Sequence, residues 1–401
     1  LSSQARPHLT GGALATLLAG LAMLGPFSVS TYLPAFPQIR LSLHASDLAV
    51  QQTLSAFLIS SGIMMLWYGA LADAFGRRKV ILINLLVFLL ASIGCALANS
   101  IETLWMFRVL QGISSGAGTV LGSAIIRDLY QGATAARLVA LVGMVFALGP
   151  GVAPIIGGWI VKLSDWRSIF IFVSGYALIL LLVCYRFLPE SLPAAQRTQF
   201  HPLTLLNGYF QIFRNVPFLL KAGALSFNFC GMFLYVAASP VFIRQHLQLG
   251  PEQFGWQFIP MVSGIFLGSL LSNRIAGKLS VPRQIMVGYG IAIAAAALNV
   301  LYHLFFVAAI PWSVLPIFFY AFGVSIVGPG IMLLLLELIP SLRGTLSSCH
   351  AFLLTMLASI TSGLIAPMIA SHITWLAAGQ LSFGILGLSC WLLAYRSRSR
   401  S

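Results

Sequence analysis

Runs of about twenty apolar residues follow one another along almost the whole chain, and little except a helix crossing a bilayer can accommodate them. About twelve can be traced, at roughly 10–33, 48–72, 80–98, 103–127, 137–161, 166–188, 217–243, 254–276, 284–308, 312–336, 344–370 and 374–395. A span of hydrocarbon needs about 20 such residues. No backbone polar group can stay unpaired there, so each run is expected to be a helix. A β-barrel would alternate in segments of about ten residues, and no such alternation is visible. Of the 401 residues only 7% are charged, against about a quarter in soluble domains.

The formal charge of +14 invites a nucleic-acid reading, which position excludes. With the amino terminus placed in the cytoplasm, about 17 of the 22 lysines and arginines fall on the inner side. They include Arg6, Arg77, Arg78, Lys79, Arg127, Arg186, Arg197, Arg214, Arg274, Arg343 and Arg400. About four, Arg40, Lys162, Arg167 and Arg244, fall outside, and Arg108 lies within a span. This is the positive-inside bias of a membrane protein, with attraction to anionic lipid as a secondary effect. It places both termini in the cytoplasm. The five cysteines all fall in apolar runs and lack the spacing of a metal site, so neither metal nor cofactor is expected. The first run is too long for a signal-peptide core and is expected to remain as a helix.

The only long polar stretch, about 189–216, divides the spans six and six. The expected organisation is a first bundle over 1–188, a cytoplasmic linker over 189–216 and a second bundle over 217–401. The halves echo each other weakly. Ala153-Pro154 in the fifth span returns as Ala366-Pro367 in the eleventh, Asp128 as Glu337, and the charged link near residue 73 as Ser269–Lys278. Three echoes in one order favour a structural repeat.

Four segments carry finer information. Gly69 to Lys79 reads GALADAFGRRK, putting Asp73, Arg77, Arg78 and Lys79 between two apolar runs. Leu104–Gly112 opens the fourth span with Arg108 and Gln111-Gly112. An arginine within a span costs on the order of 3 kcal/mol or more, so it should face protein or water, unless it snorkels to the nearby interface. Gly143–Gly158 contains Gly149-Pro150 and Gly157-Gly158; proline removes a donor and glycine loosens the backbone, which makes a bendable, closely packed helix. The first run ends in Tyr32-Leu33-Pro34-Ala35-Phe36-Pro37.

In that order these segments resemble motifs A, B and C of the major facilitator transporters and the first helix of their Bcr/CflA branch of bacterial drug exporters. Ile126-Arg127-Asp128-Leu129-Tyr130 is also similar to that branch. The resemblance implies an all-α membrane protein of twelve transmembrane helices in two six-helix bundles, lying in a bacterial inner membrane. It implies a monomeric, proton-linked exporter of small lipophilic compounds or antibiotics, and not an enzyme. Asp73, Arg77, Arg78 and Asp128 would form a cytoplasmic charge latch between the bundles, closed while the outside is open. Topology marking alone is the plainer reading of the same charges. Two positions depart from the pattern: Ser30 stands where the branch usually has aspartate, and Met65 where a glutamine is common. These departures put proton coupling in doubt and keep open a specific metabolite or siderophore transporter without it. Tyr32, Phe57, Arg108, Gln111, Asn228, Phe229, Met232, Tyr235 and Gln257 are the candidates for lining a central cavity, where apolar walls with few polar groups suit lipophilic substrates. Ordinary helix packing is the alternative for each. His350, within the eleventh span, is a further candidate for coupling, with a neutral hydrogen-bonded histidine as the alternative.

Overall fold

The computed structural model describes residues 11–398. The expectations for the two termini, including Arg6 and Arg400, therefore fall outside the described residues. The first bundle comprises α1 (Gly11–Ser42), α2 (Asp47–Phe75), α3 (Arg77–Ala96), α4 (Ile101–Leu129), α5 (Gly132–Leu163) and α6 (Arg167–Phe187). A short helix α7 (Pro202–Phe213) precedes the second bundle. That bundle comprises α8 (Val216–Ala237), α9 (Gly255–Ile275), α10 (Val281–Phe305), α11 (Leu315–Leu336), α12 (Arg343–Ile369) and α13 (Ile373–Arg398). Eleven of the helices are long and apolar enough to cross a membrane. The 32-residue α5 stands between the fourth and fifth of these. Among the described residues there is no β-strand.

Local chemistry sets where the helices begin and turn. Ser46 and Ser100 accept hydrogen bonds from the Ala49 and Thr103 amides, capping α2 and α4. Asn215 does the same for Phe218 at the start of α8. Between α2 and α3 the link is shorter than its sequence implies. Helix continues through Phe75, and Gly76 alone makes the reversal, at φ +94°, a conformation that favours glycine. The helices then alternate in direction, so Gly76 and the ends of α4, α6, α9 and α11 share one face, called here the basic face.

One apolar core runs through the first bundle and on into the second, which adds smaller clusters of its own, and two helix pairs join the bundles. α2 lies against α12, and α5 against α9 and the Pro251–Gln253 turn. Several hydrogen bonds link the bundles at Met65 and nearer the face opposite Gly76. Ser55 and Ser359 exchange hydroxyl-to-carbonyl bonds of 3.3 Å each. Gln51 donates to the Ser362 hydroxyl and to the Ala237 carbonyl, at 3.2 Å each. Thr355 donates to the Met65 sulfur at 3.6 Å, and Lys162 pairs with Glu252 at 2.9 Å.

The segment 189–216 is not uniformly polar coil, as its composition implies. α7 buries Tyr209 and Ile212 while Leu203, Leu206 and Phe210 stay exposed. The Tyr209 hydroxyl donates to the Leu66 carbonyl. Leu205, Tyr209, Ile212 and Phe213, at helical spacing, form its packed face; its brevity and the surrounding prolines hide the pattern.

Candidate functional site

Arg108 is the centre of the first bundle's polar chemistry. It lies seven residues into α4, about 10 Å along the helix at 1.5 Å per residue, and its side chain is wholly buried. Its Nη1 donates to Gln111 Oε1 at 2.8 Å and to the Ser28 hydroxyl at 3.4 Å. The guanidinium carbon stands 4.7 Å from the Tyr32 ring centre and 4.5 Å from that of Phe57, close enough for both rings to attract the charge. Tyr32 is held by a 2.8 Å bond between its hydroxyl and Thr53. Gln111 donates to Ser92 at 2.8 Å. Four of the sequence candidates, Tyr32, Phe57, Arg108 and Gln111, thus converge from three helices on one cluster. The guanidinium does not snorkel to the interface: rings and amides inside the bundle replace water around it. Arg108 Nε and Nη2 have no hydrogen-bond partner.

The second bundle does not mirror this arrangement. Asn228, Tyr235 and Gln257, expected on a central cavity, turn into the bundle interior instead. Asn228 donates to the Tyr289 hydroxyl of α10 at 3.0 Å, and Asn299, also of α10, donates to the Tyr235 hydroxyl at 2.7 Å. Gln257 donates to the Tyr235 backbone carbonyl at 2.7 Å. All three are buried, and a buried polar group is placed by where its partner lies. Positions 228 and 235, seven apart, fall on one helix face, so α10 draws both the same way. Met232 packs beside Ala292, Ala296 and Tyr320. Phe229 stacks on Phe233 with ring centres 5.5 Å apart. Ser30 is buried in α1, and among the described residues its neighbour Ser28 is the one that reaches Arg108. His350 sits in the basic-face half of α12 with Nε2 buried and without a hydrogen-bond partner.

The charged link folds into a compact cluster. Arg77 Nη1 lies 2.6 Å from Asp128 at the end of α4, and Arg77 Nη2 lies 3.7 Å from Asp73. Arg78 donates to the Tyr185 carbonyl at 2.6 Å. Sequence reasoning missed the other half of this cluster. Glu190 accepts from the Arg77 amide at 2.9 Å and pairs with Arg197 at 3.7 Å. Ser191 donates to Asp128 at 2.8 Å, and the Thr198 amide donates to the Asp73 carbonyl. The start of the linker is therefore bound onto the first bundle. Glu190, an acid alone in the stretch 189–216, was the available signal.

On the helix-bending segment, α5 runs unbroken through Pro150 and Pro154. Its glycines mark close approaches. A Cβ at Gly157 would overlap the Thr31 carbonyl of α1, and one at Gly158 the Pro251 carbonyl of the second bundle. Gly149 lies beside Met23. On the face opposite Gly76 a cavity of about 660 Å³ opens between the bundles. Arg40, Asp47 and Gln51 line it from one side, and Pro240, Arg244 and Gln245 from the other.

Two helical bundles meeting along a seam of glycine, serine and glutamine, with a charge cluster on one face, define a multi-pass membrane protein of the transporter class. The chain belongs to the Major Facilitator Superfamily, whose profile matches residues 18–356. It is 32% identical over 385 residues to an uncharacterized MFS-type transporter, YdgK, of Bacillus subtilis (strain 168), covering 92% of this chain and 94% of that one. It is 28% identical over 348 residues to a bicyclomycin resistance protein homolog of Haemophilus influenzae (strain ATCC 51907 / DSM 11121 / KW20 / Rd), covering 87% of each. Among solved structures, a bacterial homolog of the human lysosomal transporter Spinster, in an inward-facing and unoccupied conformation, is similar in fold. Its TM-score is 0.70 at 17% identity, over 96% of each chain. The Bcr/CflA resemblance of the motifs agrees with these relatives, and the protein is a transporter rather than an enzyme.

Proposed function

We propose that this protein exports small, rather lipophilic compounds, antibiotics among them, by alternating access, with the basic face in the cytoplasm. The observation that carries the mechanism is the one-sided seam. The bundles are joined by Gln51, Ser55, Lys162, Glu252 and Ser359 on the face opposite Gly76. The Arg77–Asp73–Asp128 cluster on the other face pairs within its own bundle and with the linker. That asymmetry supports a state closed to the outside, from which rocking about the seam would expose the other side. Asp73, Arg77, Arg78 and Asp128 act as a latch when the second bundle approaches them. Arg108, Gln111, Tyr32 and Phe57 form the binding or coupling centre. The bicyclomycin-resistance relative supports the choice of cargo.

Proton linkage has less support. Ser30 cannot ionise usefully, and no acid lies in the interior of a span. This favours a second reading, a specific metabolite or siderophore transporter without proton exchange. Uptake into proteoliposomes with an imposed pH gradient, across a panel of antibiotics and siderophores, separates the two. Antibiotic movement that grows with the gradient supports proton-linked export. Movement of a siderophore alone, indifferent to the gradient, supports the second reading. Movement of nothing refutes both.

A further inference from the structure

Resting on the export reading above, we propose that the transported compound carries a negative charge, a carboxylate-type group on an apolar body, and that Arg108 receives it. A guanidinium is charged at any physiological pH, and an unpaired charge in a protein interior is strongly unfavourable. Arg108 is wholly buried, yet all its partners are neutral: the Gln111 amide oxygen, the Ser28 hydroxyl and the Tyr32 and Phe57 rings. They occupy one terminal nitrogen and set two rings at 4.7 and 4.5 Å from the guanidinium carbon. The edge formed by Nε and Nη2 has no acceptor. A carboxylate takes a guanidinium edge through two parallel hydrogen bonds.

The chain does not supply that carboxylate itself. It has eight acids, and each lies at a helix end or outside the long helices. Asp47 and Glu102 open α2 and α4, Asp73 and Asp128 close them, and Glu337 caps α11. Asp165 and Glu190 lie in connections, and Glu252 in a short turn. The nearest to Arg108 in sequence, Glu102, is six residues back, about 9 Å along the helix. A visiting anion is the ligand that completes this centre; a cation entering beside it would meet uncompensated like charge. The cavity on the opposite face is an independent observation of the same sign. Arg40 and Arg244 line it from opposite bundles; Asp47, the sole acid there, pairs with Arg40 at 3.5 Å, so Arg244 leaves the exit with a net positive charge for a departing anion.

The test uses the full chain in lipid nanodiscs and calorimetric titration at neutral pH with three matched probes: 2-naphthoate, 2-naphthamide and 2-naphthylmethylammonium. The acid is expected to bind at least about tenfold tighter than the amide, and the amine weakest. Arg108→Gln, neutral and polar, should bring acid and amide to equal affinity. Should that variant fail to insert, the ranking in the unmodified protein decides. Amide or amine binding as tightly as the acid overturns the inference, as does failure of the acid to bind. Export is judged separately in proteoliposomes. Transport of neutral or cationic compounds in preference to acids leaves the export reading standing and this inference refuted. No transport of any charge class refutes the export reading itself.

Discussion

Removing the Arg108 guanidinium leaves the Gln111 amide oxygen and two aromatic rings without their cation. Arg108→Ala is expected to abolish transport while the protein still reaches the membrane. Arg108→Lys should restore only part, because an ammonium lacks the planar fork. Counterflow assays on membranes with matched protein levels check both, and full activity in the alanine variant would make Arg108 a packing residue. Ser30→Asp places a carboxyl in the same part of α1 and should raise the dependence of transport on an imposed pH gradient. An unmodified protein that already drives substrate uphill with a fixed proton stoichiometry would contradict the idea that Ser30 marks lost coupling. At this scale the sequence was most legible where an expensive residue announced itself. A lone arginine in a span had to find protein, and it did. Asn228, Tyr235 and Gln257 carried no such signal. An amide in a helix pairs with whichever neighbour packs against it, and α10 lies too far along the chain for any local pattern to reveal its register.

The glycines of α5 separate two roles on one helix. Gly157 abuts the Thr31 carbonyl within the first bundle, whereas Gly158 abuts Pro251 of the second. Gly157→Ala should lower the thermal midpoint, since overpacking costs about 1–3 kcal/mol. Gly158→Ala should instead prop the seam apart on the face opposite Gly76, read as a longer distance between labels at Ser42 and Gln248. Equal effects of both variants on the midpoint, with that distance unchanged, would remove the distinction. For the latch, Asp73→Asn or Arg77→Ala should shift the population toward the state open at the basic face. Losing about 1.4 kcal/mol changes the ratio about tenfold. The charged segment shows how far spacing reaches. Its four charges gave the position of the link, but the partners Glu190, Ser191 and Arg197 lie more than a hundred residues beyond Arg77. Their arrival depends on how α6 ends, which local sequence does not encode. The same limit hid the Lys162–Glu252 pair.

Across the whole molecule, the apolar runs sufficed for an all-helical membrane chain, eleven of whose described helices are long and apolar enough to cross a bilayer, because hydrocarbon leaves a chain few other regular structures. They could not give the state of the seam, which depends on a balance between two faces of one molecule. The orientation argued from basic residues is tested by a single cysteine at Gln196 in a cysteine-free background. An impermeant thiol reagent applied to intact cells should leave it unlabelled, and labelling from outside would invert the topology. The central claim, that the two bundles rock about a central site, is tested most directly by paired distance measurements. One label pair sits on the basic face at Gln131 and Lys278, the other on the opposite face at Ser42 and Gln248. Spin-label distance distributions in nanodiscs, with and without a transported compound, should show the two pairs moving in opposite senses, one lengthening as the other shortens. Two distributions that stay fixed during turnover, or lengthen together, would contradict the account.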